Sequence, residues 1–238
     1  MPEHFIVIFA IFLAVFTQSL SGFGSALVAM ALLPPVLGIQ TATPLVAIVM
    51  LPLEIFLLMH YRHALNVSAI WRVVVAAIVG IPIGIIFLSQ LDEKIVLTVL
   101  GVVITGYSLF ALLNLRLPQM AQPAWGYVFG FLAGLLGGAY NTSGPPVIVY
   151  GNCLRWDRDE FKSNLQGFFL IASLVIAIGH AWNHNLTPEV WRYFLISLPA
   201  IAVGIWAGTN LDKFLNPEAF RKIVLILLII MGIRLIFA

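Results

Sequence analysis

The chain has 238 residues, of which 61% are hydrophobic and 9% charged, and its mean hydropathy is +1.05. A water-soluble domain of this length could not cover so much apolar surface with so few charges. A net charge of +2 argues against a nucleic-acid partner, and the single cysteine, Cys153, rules out an intrachain disulfide or a thiolate metal cluster.

Apolar stretches recur from Phe5 to the C-terminus, at about 4–20, 26–38, 42–59, 70–90 and 95–114. After the linker Leu115–Pro123 they return at about 124–139, 144–151, 164–183, 191–208 and 220–238. A membrane-crossing helix needs about 20 such residues, so the expected fold class is an all-α polytopic membrane protein. Met1-Pro2-Glu3-His4 brings no Lys or Arg ahead of the first stretch, and no small-residue cleavage site follows. The first stretch therefore reads as a retained helix and not as a signal peptide.

The two series of stretches suggest a duplication. Trp71-Arg72 matches Trp191-Arg192 at an offset of 120 residues, and the same offset pairs His60 with His180, Gly84 with Gly204, Leu91 with Leu211 and Asp92 with Asp212. Shared oiliness does not explain pairs of Trp, His, Arg and Asp, which are scarce here. Two repeats are expected, residues 1–115 and 122–238. Lys and Arg near segment ends prefer the cytoplasm, and they sit on alternate loops in the two halves. His60-Tyr61-Arg62-His63 is positive, whereas Asn183–Val190 has Glu189 and neither Lys nor Arg. Conversely Gly38–Thr41 is uncharged, whereas Asn152–Ser163 carries Arg155, Arg158 and Lys162. The repeat is thus read as inverted, with both termini and Asp92-Glu93-Lys94 outside. The loop bearing Asp212, Lys213, Arg221 and Lys222 falls inside. Inversion needs an odd number of crossings, so three long helices per half cross and the first two segments form a hairpin. Each hairpin is either re-entrant or a full helix followed by a partial one.

Both hairpins are interrupted by polar and helix-breaking residues. The first break is Gln18-Ser19-Leu20-Ser21-Gly22-Phe23-Gly24-Ser25, with Pro34-Pro35 downstream; the second is Gly137-Gly138, then Tyr140-Asn141-Thr142-Ser143-Gly144-Pro145-Pro146. Within lipid, non-helical backbone persists only where protein or a water-filled cavity satisfies it, and paired breaks in repeated halves mark transporter binding sites. A helix starting inside the membrane presents unpaired N–H groups and the positive end of its dipole. Ser25 and Ser143 stand where an N-cap or a bound anion would accept those groups. Gly22, Gly24 and Gly144 permit close approach, Pro145 suits a first helical turn, and Gln18, Ser21, Asn141 and Thr142 add neutral donors. The pattern favours a small oxyanion held by hydrogen bonds. The plainer explanation is that small residues simply let membrane helices pack closely.

Glu54 lies well inside the 42–59 stretch, and an intramembrane carboxylate suggests proton coupling or, less specifically, a hydrogen bond between helices. Gln166 is expected to line the cavity. Arg72 and Arg192 beside tryptophans read as interfacial anchors, and His60 and His180 as late-helix residues with little call for a pH-sensing role.

Taken with these residues, the chain resembles the TauE/SafE (TSUP) family of sulfite exporters along its whole length. The matching residues are Ser21-Gly22-Phe23-Gly24-Ser25-Ala26-Leu27 with Ala29-Met30, and Asn141-Thr142-Ser143-Gly144-Pro145-Pro146 with Tyr150. Trp156 and Leu165-Gln166-Gly167-Phe168 complete the second signature. Many members carry three consecutive glycines in both motifs; this chain is similar instead to a branch with Asn-Thr-Xaa-Gly-Pro-Pro. The resemblance implies a sulfite, thiosulfate or organosulfonate cargo.

The expected function is secondary transport of such an anion by alternating access in the cytoplasmic membrane. A passive anion channel is one alternative, and an intramembrane serine hydrolase using Ser143 and His180 is another. The expected partners are the small anion and the lipid bilayer, with a homodimer as candidate assembly; no cofactor, metal or nucleic acid is expected.

Overall fold

Helix α1 (Pro2–Ser21) is apolar almost throughout and stops where Gly22 and Gly24 take positive φ values of 86° and 100°. A Cβ resists that backbone state, so the helix ends where the glycines begin. The computed structural model describes residues 2–113, 117–120, 122–211 and 217–237, and the helices among them are α, with one 3-10 turn. The linker residues Asn114, Leu115, Arg116 and Ala121, and the loop residues Asp212 and Lys213, lie outside the described residues.

Past the glycines come α2 (Ser25–Leu32), α3 (Pro34–Leu37), α4 (Ile39–Tyr61), a 3-10 turn (Arg62–Ala64), α5 (Val67–Gln90) and α6 (Glu93–Leu113). The second series is α7 (Ala124–Tyr140), α8 (Gly144–Leu154), α9 (Arg158–Trp182), α10 (Pro188–Leu211) and α11 (Pro217–Ile236). One long helix, a short segment (two short helices in the first series, one in the second) and three long helices thus follow each other twice. Among the described residues, six helical stretches, those starting at Glu3, Ile39, Val67, Glu93, Asp159 and Pro188, are long and apolar enough to cross a bilayer; Ser25–Leu37 and Ala124–Tyr140 are shorter. The protein is an all-α, multi-pass membrane protein. Large apolar side chains such as Ile78, Val79, Phe87, Leu195, Val203 and Trp206 point outward, as lipid-facing helices require.

Helix starts differ from the hydropathy reading where the first turn is polar. α9 begins at Arg158 and not near 164, because the Asp157 carboxylate accepts from the Asp159 and Glu160 N–H groups at 3.1 and 2.9 Å. α4 begins at Ile39, so the expected loop Gly38–Thr41 reduces to Gly38. There Glu93, in the first turn of α6, accepts from the Ile39 N–H at 3.1 Å and caps α4 from another helix.

The chain forms two compact units. One comprises α1, α2, α3, the first part of α4 through Val49, α6, α10 and α11; within it α1 packs on α10 and α2, and α6 on α11. The other comprises α4 from Met50, α5, α7, α8 and α9; within it α5 packs on α7 and α9, and α7 on α8. Each sequence half supplies helices to both units.

Close helix approach explains how units with little polar surface hold together. In the second unit a Cβ on Gly80 would stand 2.6 Å from the Phe131 carbonyl, one on Gly130 2.7 Å from Val73 Cα, and one on Gly134 2.8 Å from Ala77 Cα. In lipid the attraction between helices comes from such packing rather than from water exclusion. In the first unit, a Cβ on Gly208 would meet the Phe16 carbonyl at 2.9 Å and crowd Ser19.

Candidate functional site

The first break lies at the end of α1. The Gly22 N–H donates to Gln18 O at 2.7 Å, and the Ser21 hydroxyl lies 2.6 Å from Thr17 O and 2.7 Å from Phe23 O. The Ser25 hydroxyl donates to Gln18 Oε1, which ties the first residue of α2 to the last turn of α1. Both side chains are enclosed, Gln18 at 2% exposure and Ser25 at 1%. Gly24 occupies the N-cap position in a left-handed conformation, and no side chain caps α2. The amides of Ser25, Ala26 and Leu27, which have no acceptor within their own helix, begin α2 without a side-chain partner. The sequence places Ser25 ahead of the helix as its cap; it is instead the first helical residue, and its hydroxyl turns back to Gln18. This break sits toward one end of its unit, since Ser19 abuts Gly208 late in α10 and Arg221 in early α11 lies over Phe23, 5.3 Å from the ring centroid.

The second break has a different construction. Asn141 takes φ 56° and ψ 7°, and its N–H donates to Gly137 O at 2.8 Å, while the Thr142 N–H donates to Leu136 O at 3.2 Å. That is an αL-type helix end with Asn in the usual glycine position, which its short polar side chain tolerates. Ser143 stands at the N-cap of α8 but makes no side-chain cap. Asn141, Thr142 and Ser143 are all buried. Pro145 falls in the first turn, as the sequence predicts. Its consequence is chemical: Pro145 and Pro146 have no N–H, so of the first three residues of α8 only Gly144 offers an amide. This helix start presents its dipole with few donors, whereas α2 presents three successive amides.

Farther along the same unit, Gln166, Ser173 and His180 recur every seven residues on α9. Seven residues are close to two turns, so the three share a face, and all three are buried. Glu54, on α4 and 4% exposed, faces this row: its Oε1 accepts from the Ser173 hydroxyl at 3.0 Å, while Oε2 has no hydrogen-bond partner among the described residues. Asn164 has another role. Its Oδ1 accepts from the Asn66 N–H at 2.8 Å, and Asn66 donates to Glu160 at 2.9 Å, which fixes the start of α5.

Over residues 7–235 the chain matches the family described as Sulfite exporter TauE/SafE. The chain belongs to this family. A TauE/SafE protein is a membrane transporter and not an enzyme, so the hydrolase alternative with Ser143 and His180 falls. The chain is 28% identical over 171 residues to the probable inner membrane transporter protein TsaS of Comamonas testosteroni, covering 69% of this chain and 72% of that one. It is also 28% identical over 173 residues to the probable sulfite/organosulfonate exporter TauE of Cupriavidus necator, covering 69% and 68% respectively. No solved structure matches the chain.

Within this transporter, Gln18, Ser21, Gly22, Gly24 and Ser25 form one turn, and Asn141, Thr142, Ser143 and Gly144 form another. Gln166 and Glu54 belong to the unit of the second turn, on α9 and α4. The arginines expected as anchors sit over rings, Arg72 over Trp71 at 4.7 Å and Arg192 over Tyr193 at 5.3 Å. His60 is exposed and packs against Tyr61, with centroids 4.8 Å apart. Sequence reasoning missed Ser173, Tyr107 and Arg221. Ser173 had a usable signal in its seven-residue spacing from Gln166. Arg221, read as part of a loop, is in the first turns of α11 and turned toward the first break.

Proposed function

We propose that this TauE/SafE chain carries a small sulfur-containing oxyanion (sulfite, thiosulfate or an organosulfonate) across the cytoplasmic inner membrane by alternating access, coupled to protons through Glu54. The observation that carries the reading is the start of α2: a helix beginning among buried residues, with successive amides that no side chain caps. Such a helix end attracts an anion by its dipole and by directed N–H donors. Gln18 and Ser21 beside it add hydrogen-bonding groups without full charge, which lets a transported ion leave again; Asn141, Thr142, Ser143 and Gln166 supply a second set of neutral groups within their own unit. The name of the Cupriavidus necator relative, a probable sulfite/organosulfonate exporter, supports the cargo class.

The mechanism follows from the repeat. Two inverted halves, 1–115 and 122–238, rock against each other, with the Arg62 turn and the basic stretch Arg155–Lys162 around the start of α9 facing the cytoplasm and both termini outside. A carboxylate with one unpartnered oxygen beside the row Gln166, Ser173, His180 is suited to take up and release a proton as the halves exchange.

Flux of sulfite and of an alkanesulfonate into proteoliposomes tests the reading. Saturable flux that responds to a pH gradient, and that falls sharply in Gln18→Ala and Asn141→Ala, is the expected result. Flux that never saturates and ignores the pH gradient would instead identify a passive channel.

A further inference from the structure

Beside the first break runs a narrow cleft between the α1–α2 turn and the α6–α11 pair, within one compact unit. Its accessible lining is apolar, from residues such as Leu27, Phe220 and Leu225, while Ser21, Tyr107 and Arg221 border it. Three observations set it apart from ordinary packing. Tyr107 is only 6% exposed, yet its hydroxyl has no hydrogen-bond partner among the described residues. Arg221 Nε is enclosed and likewise unpartnered, and no carboxylate among the described residues forms an ion pair with Arg221. Gly24 and Leu27, at the uncapped start of α2, line the same cleft.

A buried hydroxyl without a partner is unfavourable, and the enclosed Nε of the half-buried Arg221 likewise lacks an acceptor. An arginine that merely anchored its helix would extend its head toward water or lipid headgroups. Arg221 instead lies over the Phe23 ring at the turn, an attraction weaker than a charge-assisted hydrogen bond to an anion. Cation, hydroxyl and helix start all lack one thing, a negatively charged acceptor.

We infer that this cleft is an anion-binding site in which Arg221 and Tyr107 hold the charged head of a small organic anion, while Leu27, Phe220 and Leu225 take its short apolar body. Binding turns the Arg221 guanidinium from Phe23 to the anion and supplies an acceptor for the Tyr107 O–H. The apolar lining separates this ligand from a bare inorganic ion, which would leave carbon surface facing its hydration shell. The inference rests on the transport reading for the expectation that an anion is the cargo; the cleft shares Ser21 and Gly24 with the first break, while Arg221 and Tyr107 are additional to that reading.

The test is equilibrium binding of propanesulfonate, butyrate and inorganic sulfite to the purified full-length protein in detergent, by calorimetry, alongside proteoliposome flux. Propanesulfonate or butyrate should bind more tightly than sulfite. Arg221→Gln should weaken binding by roughly tenfold or more, as loss of a hydrogen bond to a charged group does. Arg221→Lys should restore part of it. Tyr107→Phe removes only an oxygen atom, so it keeps the experiment decisive if Arg221→Gln folds poorly, and it should weaken binding severalfold. Unchanged binding in both Tyr107→Phe and Arg221→Lys, with flux still lost in Asn141→Ala, would overturn this site and leave the transport reading standing. Absence of both anion binding and flux in the unaltered protein would overturn both.

Discussion

The pairs α5–α7 and α1–α10 hold matching places in the two series of helices, yet they are packed by different means. On α5–α7 both helices contribute glycines, Gly80 and Gly84 on one side and Gly130, Gly134 and Gly138 on the other, and each faces backbone across the interface. On α1–α10 the glycines belong to α10 alone, and Gly204 faces the Val15 side chain, with the nearest atoms 2.9 and 3.1 Å from an added Cβ. Backbone cannot withdraw from an added methyl group, whereas a side chain can turn. The lesson is local: the α5–α7 contact is main chain at each of these glycines, whereas α1–α10 combines main-chain contact at Gly208 with an adjustable side chain at Gly204. The breaks follow suit. The α7–α8 turn is closed by backbone hydrogen bonds from Asn141 and Thr142, while the α1–α2 turn adds to its Gly22–Gln18 backbone bond two left-handed glycines and side-chain bonds from Ser21 and Ser25.

The sharpest way to break this comparison is to fill both interfaces. Gly134→Ala should destabilise the protein by about 3 kcal/mol, the upper part of the range for overpacking, and Gly134→Val should prevent folding. Gly204→Ala should cost about 1 kcal/mol, because Val15 can shift. Melting temperatures in one detergent would decide it, and equal losses from the two alanines would show that the pairs are equally rigid.

The two turns give the next largest effect. Gly24→Ala forces a residue with a Cβ to φ 100°, and should cost about 2 kcal/mol. Asn141→Gly should leave the melting temperature nearly unchanged, since glycine accepts the left-handed state freely, yet it should lose most anion flux if the Asn141 side chain handles the cargo. A variant with both full stability and full flux would confine Asn141 to closing the turn.

For Glu54 the effect falls on coupling more than on stability. Glu54→Gln keeps an acceptor for the Ser173 hydroxyl, so the fold should be retained. Flux driven by a pH gradient should fall to the level driven by the anion gradient alone. Proteoliposomes with and without an imposed gradient measure this, and a variant still driven by the pH gradient would place proton coupling elsewhere.

Much of this was legible in the sequence. Every apolar stretch corresponds to a helix or helix pair, because twenty oily residues leave a membrane chain few alternatives. Both breaks were legible too, since Gly22–Gly24 and Gly144-Pro145-Pro146 interrupt helices by their own backbone chemistry. Hydropathy was blind to the polar first turn of α9, which is helical because Asp157 caps it. It was equally blind to the cleft at Arg221, since the residues around it come from α1, α2, α6 and α11, which only the folded chain brings together. The loss of donors at α8 could have been read from Pro145-Pro146 directly; the sequence reading credited that turn with amides that two prolines cannot supply.

The smallest expected effect concerns how α4 and α9 begin, a further contrast between matching helices. Asp157 caps α9 from its own N-cap position, while α4 is capped from a distance by Glu93 of α6. Removing the first should be a local event: Asp157→Ala should cost about 1 kcal/mol, as N-cap losses do, and Asp157→Asn much less. Removing the second by Glu93→Ala should cost a similar amount, about 1 kcal/mol for one part-buried hydrogen bond, but with a wider footprint. The Glu93 carboxylate joins α6 to the turn at Gly38, where the α2–α3 arm of the hairpin meets α4. Hydrogen exchange should therefore quicken along α3 and the first turn of α4 in Glu93→Ala, and only in the first turn of α9 in Asp157→Ala. If the two footprints were equally narrow, the capping of α4 by α6 would be incidental, and the hairpin arm would be held by its own packing.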